Sequence, residues 1–331
     1  MKTVIVGAGG VGLALASCLH ASGHALHLIV RDDGREHPIE AEGITRRGLL
    51  GTRRVPREAI RVSRDLRALA DTAPDHLLVC TKTTAIPELA ASLGEVWPSL
   101  GSEPAVLLCQ NGWGSAERFA ARMPRDRVFN ARIITGFNRV SACEVDVTVH
   151  AEAIHVGSLF GESVERVRLL AEAIDHGGIP CRTSDCIEAD LLGKLLYNCL
   201  LNPLGALVGV AYGELGKSSE TRHVMESVAE EIFAVLAAAG RRTHWSGADE
   251  YLELFYRELL PATALHPSSM LQDLSAGRPT EIDALNGAVL RMGAAHDVAA
   301  PVNAALTRLI HAAEARCRRA PEDGPAKVHS D

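Results

Sequence analysis

The chain has 331 residues, 47% of them hydrophobic, which is enough to bury a full core and to make two domains rather than one. A formal net charge of -7 excludes the broad basic surface that binding nucleic acid requires, while leaving room for local basic pockets that hold small anions. Eight cysteines lie mostly in apolar stretches with no CxxC or metal-ligand spacing and no secretory signal ahead of them, so reduced thiols, no metal and a cytoplasmic setting are expected.

The first residues start a strand at once, Val4 to Val6, and run into Gly7-Ala8-Gly9-Gly10-Val11-Gly12. Helical periodicity from Leu13 to His20 and a second strand from Ala25 to Val30 complete a βαβ unit. A GxGxxG that follows a strand and opens a helix has the context of a dinucleotide site. Gly7 permits the tight turn, Gly9 lets the backbone approach a pyrophosphate, and Gly12 allows close helix packing. The helix N-terminus offers N–H groups to the anion, so Gly7, Gly9, Gly10, Val11 and Gly12 are the expected cofactor contacts. The second strand ends in Val30-Arg31-Asp32-Asp33. Arg31 comes first and favours the 2′-phosphate of NADPH, although it could pair with Asp32 or Asp33, and either acid could bind an NAD ribose instead.

Further buried strands are expected over His76 to Cys80, Ala105 to Leu108 and Val128 to Ile134, with helices around Ile86 to Val96 and Ser115 to Met123. That alternation implies a doubly wound parallel sheet. Strand ends carry Cys80-Thr81-Lys82-Thr83 and Cys109-Gln110-Asn111-Gly112, which places Lys82 and Asn111 where ligands of open α/β sheets bind. Glu144 to Val149 and Ala153 to Val156 flank a turn-like stretch and are expected to pair as an edge hairpin. Ser163 is the expected N-cap of a helix with Val164, Val167, Leu170 and Ile174 on one face. From Asp185 onward only helical spacing remains. The expected division is a Rossmann domain over 1–185, an all-helical domain over 186–319 and a disordered tail over 320–331.

The helical half opens on Leu191-Leu192-Gly193-Lys194-Leu195-Leu196-Tyr197-Asn198-Cys199-Leu200-Leu201-Asn202, apolar on nearly every side. No apolar run approaches the roughly 18 residues of a membrane span, so this helix should be buried in protein. Lys194, Asn198 and Asn202 recur at a spacing of four and form a slanted row on one side. One cation and two amides facing one cavity suit a small oxyanion such as a 2-keto acid. Later, Thr280 or Pro279 should begin a helix, with Glu281 in its first turn.

Taken together these segments resemble the ketopantoate reductases (2-dehydropantoate 2-reductases) in the expected order over nearly the whole chain. The matching stretches are the glycine motif with Arg31, Gln110-Asn111-Gly112, Lys194 through Leu204, and Ser269-Met270-Leu271-Gln272-Asp273 followed by Thr280-Glu281-Ile282-Asp283. The resemblance implies NADPH-dependent reduction of 2-dehydropantoate to (R)-pantoate, within pantothenate biosynthesis. It makes Lys194 the general acid, with Glu281 supporting it and contacting the substrate hydroxyl and cofactor. Asn198, Asn202 and Ser269 would hold the substrate, and Asn111 and Lys82 would contact cofactor or substrate. A homodimer through the helical half follows by analogy alone. Where the family often has an Asn before Gly-Glu-Leu, this chain has Tyr212, a bulkier substrate-site residue that could reshape the pocket for a different acid. Gly136-Phe137-Asn138-Arg139 is likewise bulkier and more basic than expected near a sheet edge. The alternatives are a relative that reduces another keto or imino acid, or a non-catalytic NADP(H)-binding redox sensor.

Overall fold

The computed structural model describes residues 1–31, 34 and 36–319, with the backbone alone for 318 and 319. The readings placed on Asp32, Asp33 and the 320–331 tail lie outside the described residues. Contacts divide the chain into two compact units, Met1–Leu191 and Leu192–Asp331.

The first unit contains β1 (Thr3–Val6), β2 (Leu26–Ile29), β3 (Ile44–Gly48), β4 (Arg53–Val55), β5 (Ile60–Ser63), β6 (His76–Val79), β7 (Ala105–Leu108), β8 (Val128–Arg132), β9 (Thr135–Arg139), β10 (Glu144–His150), β11 (Ile154–Gly157) and β12 (Cys181–Thr183). An eight-stranded sheet runs β12-β11-β8-β7-β6-β1-β2-β5. Its pairs are parallel except β8 with β11. The four residues of β1, β2, β6, β7 and β11 are all buried, as strands covered on both faces must be. Ile5, Leu78, Leu107 and Phe129 point into one core, with the helices Gly10–Ala21 and Glu165–His176. Val4, Leu77, Val79, Val106 and Val128 point into the other, with the helices Ile86–Val96 and Ser115–Ala120. This is the doubly wound Rossmann arrangement.

The expected hairpin of Glu144 to Val149 with Ala153 to Val156 does not form. β10 pairs antiparallel with β9 and parallel with β3 in a separate four-stranded sheet, β4-β3-β10-β9, whereas β11 joins the large sheet. The reason lies in burial. In β10 only Val145 and Val147 are fully buried, a one-sided pattern, while β11 is buried throughout. Gly136 to Arg139 belongs to β9, the edge strand of that sheet. The helix after Ser163 begins at Glu165, with Val164 as its N-cap and the Ser163 hydroxyl accepting from the Glu165 amide at 3.4 Å.

Among the described residues of the second unit the regular elements are all helices, apart from an isolated bridge between Ala211 and Pro267. The helices Ser219–Ala238, Asn286–Ala294 and Pro301–Arg319 pack on one another. Glu231 caps the last of these, its carboxylate accepting from the Val302 and Asn303 amides at 2.7 and 3.0 Å, where the helix dipole favours an anion. The helix Ile187–Val208 corrects one expectation, since it is long and apolar enough by composition to cross a membrane; its apolar window is 78% buried within the protein, so it is a core helix.

Candidate active site

The glycine loop of the first unit separates positions that the fold itself demands from one that it does not. Gly7 has φ +103°, and Gly12 lies so close to the loop that an added Cβ would stand 2.1 Å from the Gly7 carbonyl oxygen. Both must be glycine for the turn to close. A Cβ on Gly9, in contrast, would meet nothing nearer than the Cys80 carbonyl oxygen at 3.8 Å. The space in front of Gly9 is open, as the approach of a pyrophosphate requires. Behind it the helix Gly10–Ala21 starts with no side-chain cap and no acid in its first turn among the described residues, so its N–H groups are presented to an anion. The residues present therefore fit a dinucleotide. Gly10 is closely approached by the backbone of Phe137, so β9 forms a wall beside the loop, and Val11 is partly exposed.

Around this loop stand the carboxyl ends of the neighbouring strands. Arg31 is exposed after β2, Lys82 is exposed after β6, and Asn111 is partly exposed after β7. Gln110 is held by its amide N–H, which donates to the Val79 carbonyl at 2.7 Å. Its own carbonyl oxygen, and that of Asn130, have no partner among the described residues, and both residues line a small cavity with Gly112, Trp113 and Leu159. The Cys109 thiol beside it, together with burial, holds the Cys80 thiol well above its ordinary value, so Cys80 stays a thiol.

In the second unit Asn198 and Asn202 are 9% and 4% exposed, as the row demands, while Lys194 is only half-buried rather than fully buried as expected. Asp190 continues the spacing one turn upstream and was missed by the sequence reading. Within the first unit its carboxylate accepts from the Ser184 hydroxyl at 2.7 Å and from His155 at 2.8 Å. Arg132 and Arg182 both reach the same imidazole. The signal was the four-residue period, which runs 190, 194, 198, 202.

Pro203 lies inside this helix and has no N–H, which leaves the carbonyl of Cys199 without its helical donor. The buried Asn286 amide fills the gap, donating to that oxygen at 3.3 Å and to Asn303 at 2.9 Å. This bond ties the segment that carries Glu281 to the helix that carries the row. Glu281 itself is half-buried and precedes a short 3-10 turn, Ile282–Ala284; the helix expected at 279–280 begins only at Asn286. Ser269 is the exposed first residue of the helix Ser269–Ser275, while its neighbour Ser268 is fully buried, caps that helix and packs close to Gly205 on the row's helix. Tyr212, 3% exposed, is brought directly onto the row: its hydroxyl donates to the Asn202 carbonyl oxygen at 2.5 Å. The Tyr197 ring meets Tyr212 edge-on at 6.0 Å, and its hydroxyl bonds Thr263.

An open dinucleotide loop on a Rossmann sheet, with a lysine-centred polar row in a helical unit, defines a nicotinamide-dependent oxidoreductase. The chain matches the family model for ketopantoate reductase PanE/ApbA over residues 3–160 and that for the ketopantoate reductase PanE/ApbA C terminal over 186–314. It belongs to the ketopantoate reductase family, acts on a keto acid, and uses NADPH. It is 33% identical to a 2-dehydropantoate 2-reductase of Aquifex aeolicus over 95% of this chain and 97% of that one. Among solved structures it resembles a PanE/ApbA family ketopantoate reductase from Ralstonia eutropha, at 28% identity and TM-score 0.82, covering 96% and 100% of the two chains. A D-mandelate dehydrogenase with NADH and anilino(oxo)acetate shares the fold at 24% identity and TM-score 0.82, covering 96% and 99%.

Proposed function

We propose that this protein reduces a 2-keto acid to the 2-hydroxy acid in the cytoplasm, with Lys194 as proton donor. The observation that carries the reading is the polar row on the buried helix, with the Glu281 segment tied to that same helix by Asn286. When bound, NADPH supplies the hydride that adds to the ketone carbon. Negative charge then develops on the oxygen, and the Lys194 ammonium both stabilises that charge and gives up the proton that completes the hydroxyl. Glu281, on the segment that Asn286 ties to the helix of the row, is the acid that supports Lys194 in this reading. Asn198, Asn202 and Ser269 supply hydrogen bonds to the substrate without adding charge, and Arg31, Lys82 and Asn111 hold the cofactor together with the glycine loop.

The names of the relatives make 2-dehydropantoate, reduced to (R)-pantoate, the reference substrate. A second reading, reduction of a different keto acid, is favoured by the bond between Tyr212 and Asn202. The test is NADPH oxidation followed by absorbance against a panel of 2-keto acids. Lys194→Ala should lower kcat by about 100-fold to 10,000-fold with NADPH affinity little changed. Tight NADPH binding without turnover of any acid would instead identify a sensor.

A further inference from the structure

Two amide side chains of the first unit, one just past β7 and one on β8, share an unmet need. Gln110 and Asn130 are 9% and 8% exposed, and the side-chain carbonyl oxygen of each has no hydrogen-bond partner among the described residues. Buried acceptors of this kind are rare in folded proteins, and each calls for a donor. Gln110 cannot answer by turning its amide over. Its N–H donates to the Val79 carbonyl at 2.7 Å, and rotation would lose that bond and set two carbonyl oxygens against each other. Register brings the pair together: β7 and β8 run parallel with Leu108 opposite Asn130, Gln110 follows two positions on, and both amides line one cavity. The rest of its wall comes from the stretch Gly112 to Ala116, Leu159 and Leu191, none of which is ionisable.

We propose that Gln110 and Asn130 form a binding site for one uncharged group that donates two hydrogen bonds, one to each oxygen. Two acceptor oxygens repel an anion, and a cation would be buried among these walls without a counter-charge, which is costly. A neutral pair of N–H or O–H donors meets both conditions. Two sources have that chemistry: the carboxamide –NH2 of bound NADPH and an internal water. The first is at hand because a doubly wound sheet binds a dinucleotide across the carboxyl ends of both its halves, and β6, β7 and β8 form the half beyond β1 and the glycine loop. Either donor, held by Gln110 and Asn130, links the end of β7 to β8 and braces the turn that carries Asn111.

The experiment compares NADPH with the analogue whose carboxamide is replaced by an acetyl group, in the wild type and in Asn130→Leu, by fluorescence titration. Asn130→Leu removes one acceptor and leaves the bond of Gln110 to Val79 in place. If the carboxamide is the donor, the wild type should bind NADPH at least about tenfold tighter than the analogue, and Asn130→Leu should cut that ratio at least about threefold. If a water is the donor, the ratio is the same in both proteins. The melting losses of Gln110→Met and Asn130→Leu should then be non-additive by about 2 °C or more in the double variant, because residues that share a ligand couple. An unchanged ratio together with additive melting losses overturns the inference. Crystal structures of the wild type with and without NADPH complete the test, and decide alone if a variant does not fold. A donor within about 3.2 Å of both oxygens supports the site; no donor, or the Asn130 nitrogen itself bonded to the Gln110 oxygen, overturns it. None of these readouts involves turnover, so failure of the keto-acid reading would leave the site standing.

Discussion

The two units build their functional residues in opposite ways. In the first, the loop is a product of backbone geometry within six consecutive residues, Gly7 to Gly12, where a missing Cβ is the functional feature. In the second, side chains from outside the helix converge on it: Asn202 receives Tyr212 from ten positions further on, and the Cys199 carbonyl receives Asn286 from 87 positions further on. A backbone site is robust to its neighbours and intolerant of added atoms. A side-chain site has the reverse sensitivity, because each polar group depends on a partner from elsewhere in the chain.

Substitutions can break that contrast. The largest effect is expected at Gly12→Ala, where a Cβ 2.1 Å from a carbonyl oxygen forces the loop apart; a loss of about 3 kcal/mol in unfolding free energy by denaturant titration is expected. In the second unit, Asn286→Leu leaves the Cys199 carbonyl without a donor. It should cost about 2 kcal/mol and lower kcat, with NADPH binding unaffected. A neutral outcome there would mean that Pro203 needs no external partner.

The next effect is a pH dependence that belongs to the first unit. Burial pushes His27 down to about 4, and its ring nitrogens lie 2.9 Å from the Thr72 hydroxyl and 2.8 Å from that of Ser63. Between that value and the ordinary imidazole value of 6.5 the unfolded chain binds a proton that the folded chain does not, so stability is complete above pH 6.5 and declines as pH falls toward 4. From pH 7 to pH 5 the loss should be about 2 kcal/mol by denaturant titration, and His27→Gln should flatten that slope. The smallest effect is at Gly9→Ala. With open space in front of it, the melting temperature should not move, while NADPH affinity by fluorescence titration should fall by about tenfold because the added methyl occupies the approach to the pyrophosphate. Equal melting losses at Gly9 and Gly12 would remove the distinction between them.

Where the signal was local, it could be read directly. β1, the glycine loop and its helix follow from a strand, three glycines and a helical period in adjacent residues, and the Ile86–Val96 helix has the bounds its periodicity gives. The four-stranded sheet was not legible, because β3 and β4 are short and rich in arginine, and β10 takes β3 as a parallel partner from about a hundred residues away. Alternating burial in β10 against continuous burial in β11 was the physical difference that separated the two, and the turn between them obscured it.

The sequence by itself determined the Rossmann unit, the order of its motifs and the polar row, because periodicity and the absence of a Cβ are properties of neighbouring residues. Pairing required the tertiary structure. Pro203 announced an orphaned carbonyl, but only the fold could supply Asn286, and Tyr212 could be seen as bulky but not as bonded to Asn202. A hydrogen bond between distant residues depends on where two elements pack, and no local pattern contains that distance.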